Sequence, residues 1–203
     1  MSDSLEVGIP GLGLEPGDHI CALYHGPAER DKLMFPYLRA GLRAGDKCIC
    51  IADSPDVSAV RAGVGDGMDV DHCISLEQLQ LLTWADSYLR TGRFSTEEMI
   101  KFWDESVGAA ISSGRFRFAR AVGEMSWAMR NLPKVEELIG YESELNRFLP
   151  RYPQWFMCLY DLETFGGAIL VDLLRTHPKL LLGGMLLENP HYLSPDEFLA
   201  QRR

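Results

Sequence analysis

The sequence has no phosphate-binding loop of the G-x-x-x-x-G-K-[ST] type. After the apolar run "HICALY" the chain continues as "HGPAERDKL", which contains one glycine, no lysine–hydroxyl pair and an acidic helix start. A phosphate loop needs consecutive backbone N–H groups, a lysine and a hydroxyl for magnesium. We therefore do not expect ordinary ATP binding after this strand.

Clustered basic residues are also missing. The formal net charge is -9, and the only adjacent basic pair is Arg202–Arg203. Because neutralising a nucleic-acid backbone requires clustered lysine and arginine, we expect no direct contact with nucleic acid. A pocket for a neutral or cationic small molecule is compatible with this charge.

Signals for secretion, membranes and metals are scarce. The N-terminus "MSDSLEVGIPGLGLEPGD" lacks a basic start followed by an apolar stretch, and "LLLGGMLL" is too short to span a bilayer. The five cysteines have no CxxC spacing, which fits a reducing compartment. We expect a cytoplasmic protein with no membrane contact, no cofactor and no resident metal.

The remaining composition is that of an ordinary globular protein, with 46% hydrophobic and 24% charged residues among 203. This length fits one domain. Residues 1–16 are rich in glycine and proline and are predicted to form a flexible arm. Residues 17–203 are predicted to form a single domain.

Short apolar runs alternate with amphipathic segments along the chain. Strands are predicted at "HICALY", "KCICIAD", "HCISL", "FRFARAV", "WFMCLYD" and, as a strand or hairpin, "PKLLLGGMLLEN". Helices are predicted at "ERDKLMFPYLRAGLRAGD", from Pro55 to Ala62, over most of 77–113, and at "LPKVEELIGYESELNRFL", "TFGGAILVDLLRTH" and "SPDEFLA". This alternation predicts a three-layer α/β fold: a mostly parallel central sheet with helices on both faces.

Ligands of such sheets bind outside the carboxyl ends of the strands. The first candidate pair is His19 and Cys21, which face the same way because they are two residues apart on a strand. They could form a thiol with its base or half of a metal site. They could also be a hydrogen-bonded strand-end histidine and a small core residue.

The stretch "GEMSW" is the second candidate. Gly123 frees the backbone where a strand ends, Glu124 follows at the ligand edge, and Met125 and Trp127 add apolar surface. A carboxylate in such surroundings has a raised pKa or meets a cationic or hydroxylic ligand. The alternative is a helix-capping glutamate beside a core tryptophan.

Tyrosines and a second glutamate complete the candidates. Tyr24 and Tyr160 stand at strand exits, and Tyr141 is either a site residue or an inward-packed side chain. Glu142 is a candidate ion-pair partner for an arginine such as Arg120.

The order of several motifs resembles the MEDS domain, the methanogen/methylotroph sensory domain. The motifs are "GDHICALY", "YLRAGLRAGDKCICIAD", "GRF…GEMSW", "YESELNRF", "CLYD…F", "HP" and "NPHY", spread over residues 17–192. The resemblance implies a RecA/KaiC-like fold that has lost its phosphate loop. It also implies sensing of small organic molecules, hydrocarbon derivatives among them, and signalling to a DNA-binding, kinase or anti-sigma module.

The resemblance maps the family's motif histidine and acidic strand-end residue onto His19 and Glu124, with Trp127, Tyr141 and Cys158 or Tyr160 nearby. With the candidates above, the predicted ligand-binding set is His19, Cys21, Tyr24, Glu124, Met125, Trp127, Tyr141 and Tyr160. No catalytic residue is assigned. We expect a sensory domain that signals through a separate protein partner, and a homodimer is compatible with this role.

Three alternatives stay open. The first is an enzyme that uses Cys21 as nucleophile or Glu124 as general base. The second is a metal-dependent sensor that uses His19 and Cys21. The third is a nucleotide-binding protein that uses the degenerate loop.

Overall fold

A central sheet of seven strands organises the computed structural model, which describes residues 6–11, 13–53, 56–65, 67–131 and 135–202. The strand order is β3-β2-β4-β5-β1-β6-β7. The strands are β1 His19–Tyr24, β2 Lys47–Ala52, β3 Leu79–Thr83, β4 Ala119–Glu124, β5 Gln154–Asp161, β6 Lys179–Leu182 and β7 Met185–Glu188.

Helices connect most of these strands. They are α1 Gly26–Ala44, α2 Val57–Val64, α3 Val70–Ser75, α4 Thr96–Trp103, α5 Ala109–Ser112, α6 Ala128–Asn131, α7 Val135–Phe148, α8 Gly167–Thr176 and α9 Pro195–Ala200. A π-helical segment, Asp104–Gly108, joins α4 to α5. No helix in the described ranges combines the length and apolarity needed to cross a bilayer.

The strands from β1 to β6 pair in parallel, and β7 pairs antiparallel with β6. Gly183 and Gly184 connect β6 to β7 with φ of 57° and 77°, the left-handed conformations that a two-residue hairpin requires. The predicted fold class, a mostly parallel sheet within an α/β domain, is confirmed.

Each face of the sheet has its own hydrophobic core. We call the two sides the α1 face, covered by α1, α2 and α3, and the α7 face, covered mainly by α4, α7, α8 and α9. Side chains of one strand alternate between the faces. Cys21 therefore belongs to the core of the α7 face, whereas Ile20, Ala22 and Tyr24 belong to the core of the α1 face.

Two element predictions are wrong. The segment "HCISL" is not a strand: residues 70–75 form α3, because the Asp69 side chain accepts a hydrogen bond from His72 N and caps a helix there. The segment 77–113 is not largely helical either, since it includes β3. The predicted start of α2 at Pro55 and the first residues of the predicted helix at 132–134 lie outside the described residues.

The described part of the N-terminal segment contacts the domain. Val7 is buried, and its carbonyl oxygen accepts a hydrogen bond from Arg120 Nη1 at 3.3 Å. Leu186 N of β7 donates to Pro10 O, and Trp155 Nε1 donates to Glu15 O. These bonds tie the segment to both the centre and the edge of the sheet.

Candidate functional site

The sheet separates the two principal candidate residues. His19 begins β1, aligns with Phe156 of β5 and points to the α7 face, whereas Glu124 ends β4 and aligns with Leu159. Glu124 contacts Tyr24, whose side chain belongs to the α1 face. The expectation that His19 and Glu124 share one pocket is therefore wrong: they occupy opposite ends and opposite faces of the sheet.

Glu124 lies at the carboxyl rim, as predicted, and it organises that rim. Its Oε1 accepts a hydrogen bond from the Tyr24 hydroxyl at 3.3 Å. Its Oε2 accepts from Arg30 Nη1 at 3.3 Å and from Asp53 N at 3.4 Å. The side chain is only 11% exposed. Its hydrogen bonds to Tyr24 and Asp53 connect the ends of β1, β2 and β4 through one carboxylate.

A small hollow of about 70 Å³ opens beside this carboxylate. Arg30 both lines the hollow and binds Glu124, so it connects the two. The lining residues are Arg30, Met34, Phe35, Cys50, Ala52, Asp56, Ala59 and Val60. The wall is thus mostly apolar, with one guanidinium and one carboxylate.

The turn between β1 and α1 binds a carboxylate of its own. His25 N donates to Glu29 Oε2 at 2.6 Å, and Pro27, in the first turn of α1, has no backbone N–H. A helix N-terminus attracts anions through its free N–H groups. Here the Glu29 carboxylate already binds one backbone N–H of this turn, in keeping with the missing phosphate-loop motif.

Asp53, just past β2, forms a second polar group at the rim. It accepts hydrogen bonds from Arg130 Nη2 at 2.8 Å and from Trp84 Nε1. Slight burial opposes its ionisation, but these two hydrogen bonds lower the pKa of Asp53 below its usual value. Residues 54–55, which follow Asp53, lie outside the described residues.

Three of the predicted ligand residues instead pack within the core of the α7 face. Trp127 stacks on Tyr88 with ring centroids 4.6 Å apart, and the Tyr88 hydroxyl lies 3.4 Å from Met125 Sδ. Trp103 Nε1 donates to the Tyr141 hydroxyl at 2.7 Å. Met125, Trp127 and Tyr141 are all almost fully buried.

Gly123 has an ordinary backbone conformation, and its lack of a side chain leaves room for the Tyr88 ring. A Cβ at this position would lie 2.6 Å from the Tyr88 hydroxyl oxygen. The glycine therefore lets the aromatic layer approach the end of β4.

His19 belongs to a buried polar cluster that we call the His–Glu–Cys cluster: His19, Glu142, Cys158 and His177. His19 Nε2 lies 3.2 Å from Glu142 Oε2 and 3.3 Å from Cys158 Sγ. His177 Nε2 lies 3.5 Å from the same carboxylate oxygen. Burial, and then the neighbouring His177, lower the pKa of His19 to about 4, so its imidazole is neutral at neutral pH. Tyr160 packs beside this cluster, its ring 5.7 Å from that of His177.

Sequence reasoning missed the importance of Glu142 and gave it the wrong partner. Arg120 pairs with Asp46 at 2.7 Å and extends over the ring of Trp155 on the α1 face. Glu142 faces the two histidines instead. One available signal was the spacing of Glu142 and Asn146, which places both polar side chains on one face of α7.

Cys21 does not have the environment of a nucleophile. Its side chain is fully buried, and this burial raises the pKa of the thiol. Among the described residues, the group with metal-binding geometry contains Cys158 rather than Cys21. The pairing of His19 with Cys21, which the metal-dependent alternative used, is replaced by a pairing of His19 with Cys158.

A larger cavity, of about 600 Å³, lies along β3 at the edge of the sheet. It is lined by Lys47, Val57, Ile74, Glu77, Leu79, Gln80, Leu81, Ser106, Ala109, Ala110, Ser113, Arg115 and Phe116. None of the predicted site residues is among them, so its size alone does not connect it with the candidate chemistry.

Comparison with solved structures supports the RecA-like fold. The chain is similar to a KaiC-like protein of Pyrococcus horikoshii OT3, with a TM-score of 0.59 and 10% identity over 87% of this chain and 78% of that one. It is also similar to the flagellar accessory protein FlaH of Methanocaldococcus jannaschii, with a TM-score of 0.54 and 9% identity over 86% and 76% of the two chains.

Comparison of sequences is more specific. The chain is 31% identical to the transcriptional repressor DcmR of Methylorubrum extorquens over 179 residues, which cover 87% of this chain but 64% of the repressor. The model of the MEDS family, described as "MEthanogen/methylotroph, DcmR Sensory domain", matches residues 18–178. The chain therefore belongs to the MEDS family of sensory domains.

Proposed function

We propose that this domain senses a very small organic molecule at the carboxyl rim of its sheet. The hollow beside Arg30 carries this proposal, because Arg30 lines it and also binds Glu124 at 3.3 Å. An apolar wall with a few convergent polar groups is the common form of a small-molecule site. A ligand that contacts Arg30 would thus act on a carboxylate shared by three strands.

The volume of the hollow limits the ligand. A volume of about 70 Å³ exceeds the space that a single water needs but is small, so the part of a ligand that enters the hollow is limited to a few non-hydrogen atoms. The mostly apolar wall favours a short hydrocarbon derivative with one polar or halogen substituent. A nucleotide is disfavoured by this volume and by two carboxylates, that of Asp56 in the wall and that of Glu124 bound to Arg30.

Signal output follows from the same contacts. A ligand shifts an equilibrium only if it binds two conformations with different affinity. Moving Arg30 would change its bond to Glu124 and thereby the contacts of Tyr24 and Asp53. DcmR is a transcriptional repressor that is longer than the matched region, and we propose that this domain likewise acts on a regulatory partner rather than as an enzyme.

A thermal-shift screen of short alcohols, halomethanes, short amines and nucleotides tests this proposal. A ligand at a hundred times its Kd stabilises the folded state by about 2.7 kcal/mol, which raises Tm by about 5–10 °C for a domain of this size. We expect a small organic compound, and no nucleotide, to raise Tm.

Three variants locate the binding site. Arg30→Met removes the guanidinium, and Ala52→Val narrows the hollow, so both should abolish the shift. Arg43→Met makes the same chemical change in the last turn of α1, away from the hollow, and should retain it. The proposal fails if no organic compound shifts the wild type, or if Arg30→Met and Ala52→Val respond as Arg43→Met does.

A further inference from the structure

The His–Glu–Cys cluster gathers four metal-ligating side chains from distant parts of the chain. His19 begins β1, Glu142 lies in α7, Cys158 lies in β5, and His177 lies between α8 and β6. All four side chains are fully or almost fully buried, and their four donor atoms lie within 4.8 Å of one another. The rim site proposed above uses none of them.

The distances between the donor atoms match a tetrahedral ligand set. Metal–ligand bonds of about 2.0–2.3 Å at tetrahedral angles place neighbouring donor atoms about 3.3–3.6 Å apart. Glu142 Oε2 lies 3.2 Å from His19 Nε2, 3.5 Å from His177 Nε2 and 3.6 Å from Cys158 Sγ. His19 Nε2 lies 3.3 Å from Cys158 Sγ. Three of the six donor–donor edges thus fall within this range, a fourth is 0.1 Å shorter, and all six are below 4.8 Å.

Hydrogen bonds to the other ring nitrogens set both histidine tautomers. His177 Nδ1 lies 2.7 Å from the carbonyl oxygen of Leu173, which can only accept, so Nδ1 carries the proton. Asn146 Nδ2 donates to the Thr176 carbonyl, which leaves Asn146 Oδ1 as the acceptor for His19 Nδ1 at 3.3 Å. Both Nε2 atoms therefore present lone pairs to the cluster, the arrangement that supports metal-binding histidines.

Without a cation these lone pairs converge on a carboxylate. The Cys158 thiol can donate to His19. His177 Nε2 and Glu142 Oε1 still have no hydrogen-bond partner among the described residues. A buried charge without compensation is strongly unfavourable. A divalent cation would accept all four donor atoms and neutralise one carboxylate and one thiolate.

We propose that His19, Glu142, Cys158 and His177 bind one divalent transition-metal ion, with Zn²⁺ the best match. Two imidazoles, a thiolate and a carboxylate are ligands that Zn²⁺ takes in tetrahedral sites, whereas Mg²⁺ and Ca²⁺ prefer oxygen ligands alone. Because four protein ligands are buried together, the site is closed and structural. It links β1, β5, α7 and the end of α8. This assignment revises our expectation that the protein contains no metal.

Metal analysis of the full chain tests the site. We expect one zinc ion per chain after purification without chelators, a lower Tm after chelation, and recovery of Tm when Zn²⁺ is returned. Cobalt(II) added to the metal-free protein should give a thiolate-to-cobalt charge-transfer band, because Cys158 is a ligand.

Variants then identify the ligands. Cys158→Ser should lose the charge-transfer band, and Glu142→Gln and His177→Ala should lose stoichiometric zinc. Cys21→Ser changes the thiol paired with Cys158 across β1 and β5 and should retain both the zinc and the band. The proposal is overturned if wild-type protein neither contains zinc nor gains Tm when zinc is added, or if Cys158→Ser keeps the band. The first of these results would indicate a proton held between His177 and Glu142 instead.

Discussion

Cys21 is the nucleophile in one version of the enzymatic alternative, and the other version uses Glu124 as general base. Burial raises the pKa of the Cys21 thiol, and the thiolate rather than the thiol is the nucleophile. We therefore expect slow alkylation of Cys21 in the native protein at neutral pH. Cys73, at 6% exposure, should react first among the five cysteines. Peptide mapping after iodoacetamide labelling measures this order.

Labelling in urea provides the control for that experiment, because unfolding exposes every thiol and all five should then react at similar rates. Native alkylation of Cys21 ahead of Cys73 would instead show an activated thiol and favour the enzyme.

Glu124 and His19 show what residue-level sequence reasoning can predict. The sequence predicted Glu124 at the carboxyl rim because the predicted strand "FRFARAV" ends just before Gly123 and Glu124. His19 begins the predicted strand "HICALY", so the sequence already places it at the amino end of β1, but it does not show which helices cover that end. Glu142 and His177 come close to His19 only through the packing of α7 and α8, which no local pattern encodes.

At the scale of elements, Asn146 fastens α7 to the end of α8. Its Nδ2 donates to the carbonyl oxygens of Glu142 and Thr176, at 2.9 and 2.7 Å. Thr176 is buried, so Asn146→Ala would leave its carbonyl oxygen without this donor. We expect the free energy of unfolding to fall by about 1–3 kcal/mol, as measured by urea denaturation.

Gln201→Ala removes an exposed amide and should change the free energy of unfolding by less than about 0.5 kcal/mol. If Asn146→Ala changed the free energy of unfolding as little as Gln201→Ala does, the two helices would be joined mainly by apolar packing.

Short elements explain the errors in the predicted secondary structure. The six residues of α3 and the five of β3 are too few to show a helical or strand period, so apolar runs alone were ambiguous. The helices α1 and α7 were predictable because their patterns extend over enough residues, and the strands β2 and β5 because they are almost continuous apolar runs buried on both faces. The fold class depended on these helices and strands and was therefore predicted correctly.

At the scale of the whole molecule, the central sheet separates the proposed ligand site from the proposed metal site. The α1 face and the carboxyl rim contain the hollow and the carboxylate proposed for sensing. The α7 face contains the proposed metal cluster near the amino end of β1. A sensor benefits from this division, because a rigid cluster can hold the sheet in place while the rim contacts respond to a ligand.

The N-terminal segment gives the last prediction, since it spans this sheet from Val7 to the edge at β7. Deleting residues 1–16 removes the buried Val7 side chain, the carbonyl that accepts from Arg120, and the bridge to Leu186. We expect the free energy of unfolding to fall by about 2–4 kcal/mol in urea. Val7→Asp should reproduce much of this loss, whereas Glu6→Ala, at an exposed position, should not. An unchanged urea midpoint after the deletion would mean that the segment is a flexible arm, as its composition suggested, and that its contacts contribute little to stability.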